Sequence, residues 1–233
     1  MSRIGVALRR GALALALALV AAESPAVAQQ GDRLSLPGFL AAMGLLETEE
    51  VRLPLGDDGG ALVFELPSSD QVRVRRNEEA SGENVVAVYE FRGEDGRLVE
   101  SLVLTRAEID RGPREQRRFA MANLLVLRSF GALMEQQPGA RLLGFGPVPE
   151  DGSAPEALDA VQAVGTRPGE DGAQAIVVRH VGLMAEDSAV AVVALVGIDT
   201  SRLPVQSNAQ LGQTYTGQAI ASMRMELPDP PAD

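Results

Sequence analysis

The stretch "AIVVRHVGLMAEDSAVAVVALVGID", from Ala175 to Asp199, decides the fold of this chain. Its two apolar runs are rich in valine, which favours β-strands, and the polar "AEDS" between them excludes a continuous membrane helix. We therefore predict a hairpin with strands at residues 175–184 and 189–198. The second strand is apolar on both faces, which indicates a central strand of the sheet, covered on each side.

Four acidic turns that contain glycine divide the rest of the chain, and they lie at residues 56–60, 93–96, 149–152 and 169–172. Asp-Gly is a strong signal for a tight hairpin turn, because both residues tolerate the positive φ that such turns need. The flanking residues alternate as strands do. Val72 and Val74 are predicted to face inward, and Arg73 and Arg75 outward. The pattern predicts several antiparallel hairpins.

Two amphipathic helices complete the predicted fold. The longer covers residues 113–136, with a proline in its first turn, and we predict a core stripe of Phe119, Ala122, Val126, Phe130 and Leu133. The other covers residues 210–224, and a short helix is predicted at residues 37–46. We expect an α+β fold, in which an antiparallel β-sheet built from hairpins packs against one long central helix and a C-terminal helix.

The first residues predict export. Arg3, Arg9 and Arg10 precede an uncharged apolar run that is too short to span a bilayer, and a small-x-small pattern ends at Ala28. We predict a signal peptide of the Sec type, cleaved after residue 28, and a periplasmic or secreted protein with no membrane span. The alternative is a retained anchor. Residues 29–226 are predicted to form a single domain with a surface loop at 146–158, and residues 227–233 a disordered tail.

The composition excludes several classes of function. The 233-residue chain has a formal net charge of −11, and removal of residues 1–28 takes away three arginines and one glutamate, which leaves −13. Such an acidic surface repels phosphate backbones, so we predict no nucleic-acid partner. The chain contains no cysteine and no lysine, which excludes disulfide bonds, thiolate nucleophiles and Schiff-base chemistry.

No motif identifies a reaction. The single histidine, His180, is interpreted as a partly buried structural imidazole, because no nucleophile or orienting carboxylate can be assigned to it. One histidine and no cysteine exclude metal sites that need several such ligands, and no acidic turn matches an EF-hand loop. We predict no catalytic residue, no metal site and no cofactor. Paired carboxylates remain an alternative source of chemistry.

One side of the long helix is a candidate binding face. It combines arginines with large apolar residues, namely Arg114, Arg117, Arg118, Met121, Leu124, Leu125 and Arg128. If exposed, this mixture has the composition of a protein interface, and it predicts docking of an acidic partner or of a second copy. The alternative is that a loop or the N-terminal segment covers the three apolar residues and that the arginines pair with the protein's own carboxylates.

The C-terminal region resembles the Mog1/PsbP-like domains. The likeness covers about the last fifty residues, with the hairpin, the connection "GIDTSRLPVQSN" and the closing helix "TGQAIASMRM" in the same order. It implies a curved antiparallel sheet backed by helices, and an accessory or assembly factor. We therefore predict a non-catalytic exported protein that acts by binding another protein. The alternative is a hydrolase of sugar or peptidoglycan that relies on carboxylates.

Overall fold

The computed structural model describes residues 34–227, apart from 57–59, 81, 83, 149–153, 156, 170–174 and 187. The predicted signal peptide (1–28) lies outside the described residues, as does the predicted tail except Leu227. In chain order the elements are α1 (Pro37–Ala42), β1 (Glu47–Pro54), β2 (Ala61–Ser68), β3 (Val72–Arg76), β4 (Val85–Gly93), β5 (Leu98–Glu108), α2 (Arg114–Asn123), a π-helical segment (Leu124–Phe130), α3 (Gly131–Gln136), β6 (Arg141–Pro147), β7 (Asp159–Pro168), β8 (Ala175–Met184), β9 (Val190–Asp199), α4 (Asn208–Leu211), α5 (Tyr215–Ala221) and β10 (Arg224–Glu226).

The strands form two antiparallel sheets. The large sheet has the order β3-β4-β5-β9-β8-β7-β6, and the small sheet has the order β1-β2-β10. β8 and β9 pair as the predicted hairpin, and β9 is the middle strand of the large sheet, as its two apolar faces predict. The prediction of an α+β fold with an antiparallel sheet and helices is confirmed.

Each predicted acidic turn stands between two strands that pair with each other. The four pairs are β1 with β2, β4 with β5, β6 with β7, and β7 with β8. The predicted loop at residues 146–158 is wrong at its start, because Gly146 and Pro147 belong to β6 and pair with Gln162 and Val161 of β7. Proline is tolerated on an edge strand, so β6 continues to Pro147.

One core lies between the large sheet and the small sheet, and the C-terminal helices close it. Phe64 of β2, Phe91 of β4 and Tyr215 of α5 are buried in this core. The predicted C-terminal helix is shorter than expected. The predicted helix is divided into α4 and α5. Thr214 caps α5 by accepting a hydrogen bond from the Gly217 amide. Residues 224–226 form β10.

A buried carboxylate attaches α5 to the large sheet. Glu100 of β5 is fully buried, and its two oxygens accept hydrogen bonds from the backbone N–H groups of Tyr215 and Thr216, at 3.0 and 2.9 Å. The Thr216 hydroxyl donates a third hydrogen bond at 2.5 Å. Burial raises the pKa of the Glu100 carboxyl, and these hydrogen bonds act in the opposite direction. The carboxylate satisfies amide groups that the first turn of a helix leaves without partners.

A second core lies on the other face of the large sheet, beneath the long helix formed by α2, the π segment and α3. Met121, Leu125, Phe130 and Leu133 of this helix pack against β5, β7, β8 and β9. The molecule is thus layered as helix, large sheet, and small sheet with the C-terminal helices. Among residues 34–227 that the structure describes, no helix combines the length and hydrophobicity that crossing a bilayer requires.

Candidate functional site

The long helix carries every residue of the predicted binding face, so its register decides what is exposed. Its sheet-facing residues recur every four positions and are buried, and they are Arg117, Met121, Leu125, Ser129 and Leu133. In a uniform α-helix such a row would rotate by about 40° per step. The π segment has i→i+5 hydrogen bonds and more residues per turn, which keeps the row over the sheet.

The predicted core stripe is therefore wrong in part, because it assumes 100° per residue along the whole helix. Phe130 and Leu133 are buried as predicted, and Ala122 and Val126 are half-buried. Phe119, however, is 70% exposed. The helix turns a different side to the sheet from the one that the apolar pattern predicts.

The apolar part of the predicted binding face is also not on the surface. Met121 and Leu125 are fully buried, and Leu124 is half-buried. The sheet covers them, and glycine in β8 makes the close approach possible, because a Cβ on Gly182 would collide with the Met121 side chain. Met121 and Leu125 are thus covered, but by the large sheet and not by a loop or the N-terminal segment as the alternative expected.

Arg117 is buried as well, although the prediction placed it in solvent. Its guanidinium donates hydrogen bonds to the backbone carbonyls of Ala185 and Ser188, both at 2.9 Å. These carbonyls belong to the turn between β8 and β9. A buried cation costs free energy unless such acceptors are present. Arg117 therefore fixes the helix to the central hairpin.

Arg114 and Arg118 share a single carboxylate. Arg118 Nε donates to both oxygens of Asp159, at 2.8 and 2.9 Å, and Arg114 donates to one of them at 3.0 Å. Burial opposes ionisation of Asp159, but the two arginines outweigh it and lower the pKa of the carboxyl. The alternative that the arginines pair with the protein's own carboxylates is confirmed for these two residues.

The helix exposes many residues along its length, and we call three of them the outer helix surface: Phe119, Leu127 and Arg128. Phe119 and Leu127 are 70% and 71% exposed. Arg128 is exposed and makes no ion pair with any residue in the described ranges. Of the predicted binding residues, only Arg128 belongs to this surface. Leu127 was missed, although a uniform helical wheel already places it outside the predicted core stripe.

His180 lies on β8 beneath the π segment and is fully buried. Its Nδ1 atom is 2.7 Å from Ser129 Oγ, and its ring centre is 4.9 Å from that of Phe130. The residue lines a cavity of about 30 Å³, roughly enough for two water molecules. Within the described part of the chain, Nε2 has no hydrogen-bond partner. The predicted burial of this imidazole is confirmed and is more complete than expected.

His180 is expected to weaken the fold in acid. Burial lowers its pKa from 6.5 to about 3, so between these values the unfolded chain binds a proton that the folded protein does not. The contribution of His180 to stability is therefore present above pH 6.5 and is lost as the pH falls, by at most about 1.4 kcal/mol per pH unit. Urea unfolding from pH 7 to pH 4 should show a shallower pH dependence in His180→Gln than in the unsubstituted protein. Equal slopes would contradict this prediction.

Two buried or half-buried carboxylates have structural partners. Glu100 binds the start of α5, and Asp159 binds arginines of α2. Neither lines the cavity next to His180. Among the described side chains, no group of three or more histidine, aspartate or glutamate residues is placed to hold a metal ion. The carboxylate-dependent hydrolase stays a hypothesis that these contacts do not test.

The fold defines an α+β protein of two antiparallel sheets, and comparison with known proteins adds distant likenesses. The chain matches no family and no curated protein. Mog1p, a Ran-binding protein of Saccharomyces cerevisiae, is 14% identical over 77% of this chain and 95% of its own, with a TM-score of 0.42. LpqN of Mycobacterium tuberculosis, involved in cell envelope biogenesis, is 14% identical over 85% of this chain and all (100%) of its own, with a TM-score of 0.40. The predicted resemblance to Mog1-like proteins is present, at low similarity.

Proposed function

We propose that this chain is an exported, non-catalytic protein that acts by binding another protein, as an accessory or assembly factor. The observation that carries the proposal is the outer helix surface. Phe119 and Leu127 expose most of their side chains to solvent, and Arg128, next to Leu127 in the sequence, has no ion pair among the described residues. Aromatic residues and arginine are enriched in protein interfaces and dominate their binding energy.

The attachment of the helix supports this role. Arg117 binds the carbonyls of the β8–β9 turn, and Arg114 and Arg118 bind Asp159. These predicted binding residues therefore hold the helix in place, and we assign contact with the partner to the outer helix surface instead. A surface that is already ordered loses little conformational entropy on binding, which favours affinity.

Cross-linking tests the proposed surface. A photoreactive phenylalanine analogue at position 127, or in place of Phe119, should give one discrete adduct in cells on irradiation. The same analogue in place of Phe39 of α1 is the matched control, because Phe39 is also exposed, at 61%, and lies elsewhere. Arg128→Glu should weaken the adduct at position 127. Equal adducts at positions 39 and 127, or none at either helix position, would refute the proposed surface.

Export is a separate part of the proposal. The basic residues, the apolar run and the small-x-small pattern that ends at Ala28 support cleavage of residues 1–28 and a periplasmic or secreted single domain at 29–226. N-terminal sequencing of the protein purified from the periplasm should begin at Gln29. A protein that retains its first residues and sediments with membranes would instead be anchored.

A further inference from the structure

The large sheet ends in two edge strands, β3 and β6, which differ in how well they are protected against pairing with another strand. An edge strand presents unpaired backbone N–H and C=O groups that can accept another strand, and proteins commonly block such edges with charged side chains. β3 carries Arg73, Arg75 and Arg76, which are all exposed. β6 has no charged residue after Arg141, and its exposed large side chains are apolar.

The centre of β6 is an aromatic residue between two glycines. Phe145 is 64% exposed, and a Cβ on Gly144 or Gly146 would meet only open space. Phe145 pairs with Ala163 of β7, which is buried in the core beneath the long helix. Paired residues point to the same face of a sheet, so Phe145 lies on the helix side. A register shift between Leu142 and Gly144 makes the strand irregular before Gly144.

We propose that two copies of this chain pair through β6, antiparallel, around a two-fold axis at Phe145. This register joins the regular part of both strands. It places Gly144 of each copy opposite Gly146 of the other and brings the two Phe145 rings side by side. Cross-strand aromatic pairs stabilise sheets, and the glycines put no side chain on the opposite face of the contact. The two large sheets become one, with both long helices on the same face.

A second copy fits this edge for two reasons. A two-fold interface must complement itself, and a Gly-Phe-Gly centre does so when it is paired antiparallel. The protein also has a formal net charge of −11, so two copies repel each other over most of their surface. The segment from Leu142 to Pro147 carries no charge. It is therefore a place where two copies can approach at low electrostatic cost.

The size of the contact indicates a reversible dimer. Leu143 and Phe145 are 68% and 64% exposed. Together they supply roughly a third of the ~800 Å² that a stable interface takes from each partner, and the strand backbone adds to this. The dimer is therefore expected to dissociate on dilution. Added salt should favour it, because salt screens the repulsion between the two acidic surfaces.

Sedimentation equilibrium tests the dimer. The unsubstituted protein should shift from monomer to dimer with concentration, and more readily in high salt. Phe145→Lys should weaken the association at least tenfold, because it places two cations side by side, and Phe39→Lys on α1 should leave it unchanged. A monomer at every concentration and salt level would overturn the proposal, and so would equal effects of the two substitutions. A strand of another protein cross-linked to β6 in place of a second copy would also overturn it.

Cysteine pairing tests the register, and the chain has no cysteine of its own to interfere. Gly144→Cys and Gly146→Cys both keep Phe145 and both have space for the new side chain. Under mild oxidation, a mixture of the two variants should form a disulfide-linked dimer, because positions 144 and 146 face each other. Each variant alone should form far less. Efficient cross-linking of either variant alone would mean a different register and would contradict the proposed axis.

Discussion

Glu100→Ala is expected to lower the free energy of unfolding by about 4 kcal/mol, since each buried donor left without a partner costs about 1–3 kcal/mol. The substitution removes the acceptor for the amides of Tyr215 and Thr216 and for the Thr216 hydroxyl. Because the free energy of unfolding of a domain is about 5–15 kcal/mol, this substitution would remove a large part of it.

The matched control for this prediction lies on the same strand. The side chain of Glu108, at the end of β5, is 82% exposed, so Glu108→Ala should change the stability by less than about 0.5 kcal/mol. Glu100→Gln keeps the shape and one acceptor oxygen, and we expect an intermediate loss. If Glu100→Ala does not fold, the free energy of unfolding of Glu100→Gln tests the prediction instead. Chemical denaturation measures all three variants, and equal losses at positions 100 and 108 would show that α5 is held by other contacts.

Leu125→Ala is expected to cost about 2–5 kcal/mol, whereas Leu127→Ala, two residues away, should change stability by less than about 0.5 kcal/mol. Leu125 is fully buried against the sheet, and Leu127 is 71% exposed. The first substitution leaves a cavity in the core beneath the helix, and the second removes only solvated surface. The pair therefore measures which side of the helix faces the sheet.

The comparison of these two leucines also distinguishes the two helical registers. A uniform α-helix with Phe119, Ala122 and Val126 toward the core predicts a large loss for Val126→Ala and a small one for Leu125→Ala. The register with the π segment predicts the reverse, because Val126 is only half-buried. A small loss for Leu125→Ala with a large one for Val126→Ala would refute the π segment. Thermal or urea unfolding is sufficient for the measurement.

Local signals account for the parts of the fold that could be predicted. The turn at residues 93–96 depends on Asp95 and on Gly96, which has a positive φ of 76°. The position of β9 in the middle of the sheet follows from its own two apolar faces. Leu211, Tyr215, Ala219 and Met223 recur every four residues and are all buried, although the predicted helix is divided into α4 and α5. In each case the residues that determine the structure lie within a few positions of one another.

The register of the long helix could not be predicted, because distant contacts determine it. Arg117 is buried only because the Ala185 and Ser188 carbonyls meet it, 68 and 71 residues further along the chain. Met121 can approach the sheet because β8 has Gly182 at that position. From sequence alone, an arginine is predicted to be exposed to solvent unless its hydrogen-bond acceptors are known. The candidate site therefore moved from the predicted face to Phe119, Leu127 and Arg128.

The small sheet has a consequence for how the chain folds. Its last strand, β10, pairs Arg224 with Val63, a contact that spans about 160 residues and belongs to the kind that slows folding. During synthesis, β2 leaves the ribosome long before this partner exists, so the core between the sheets can close only when translation is nearly complete. If the protein is exported as we propose, this delay keeps the polypeptide in the unfolded form that a translocation channel admits.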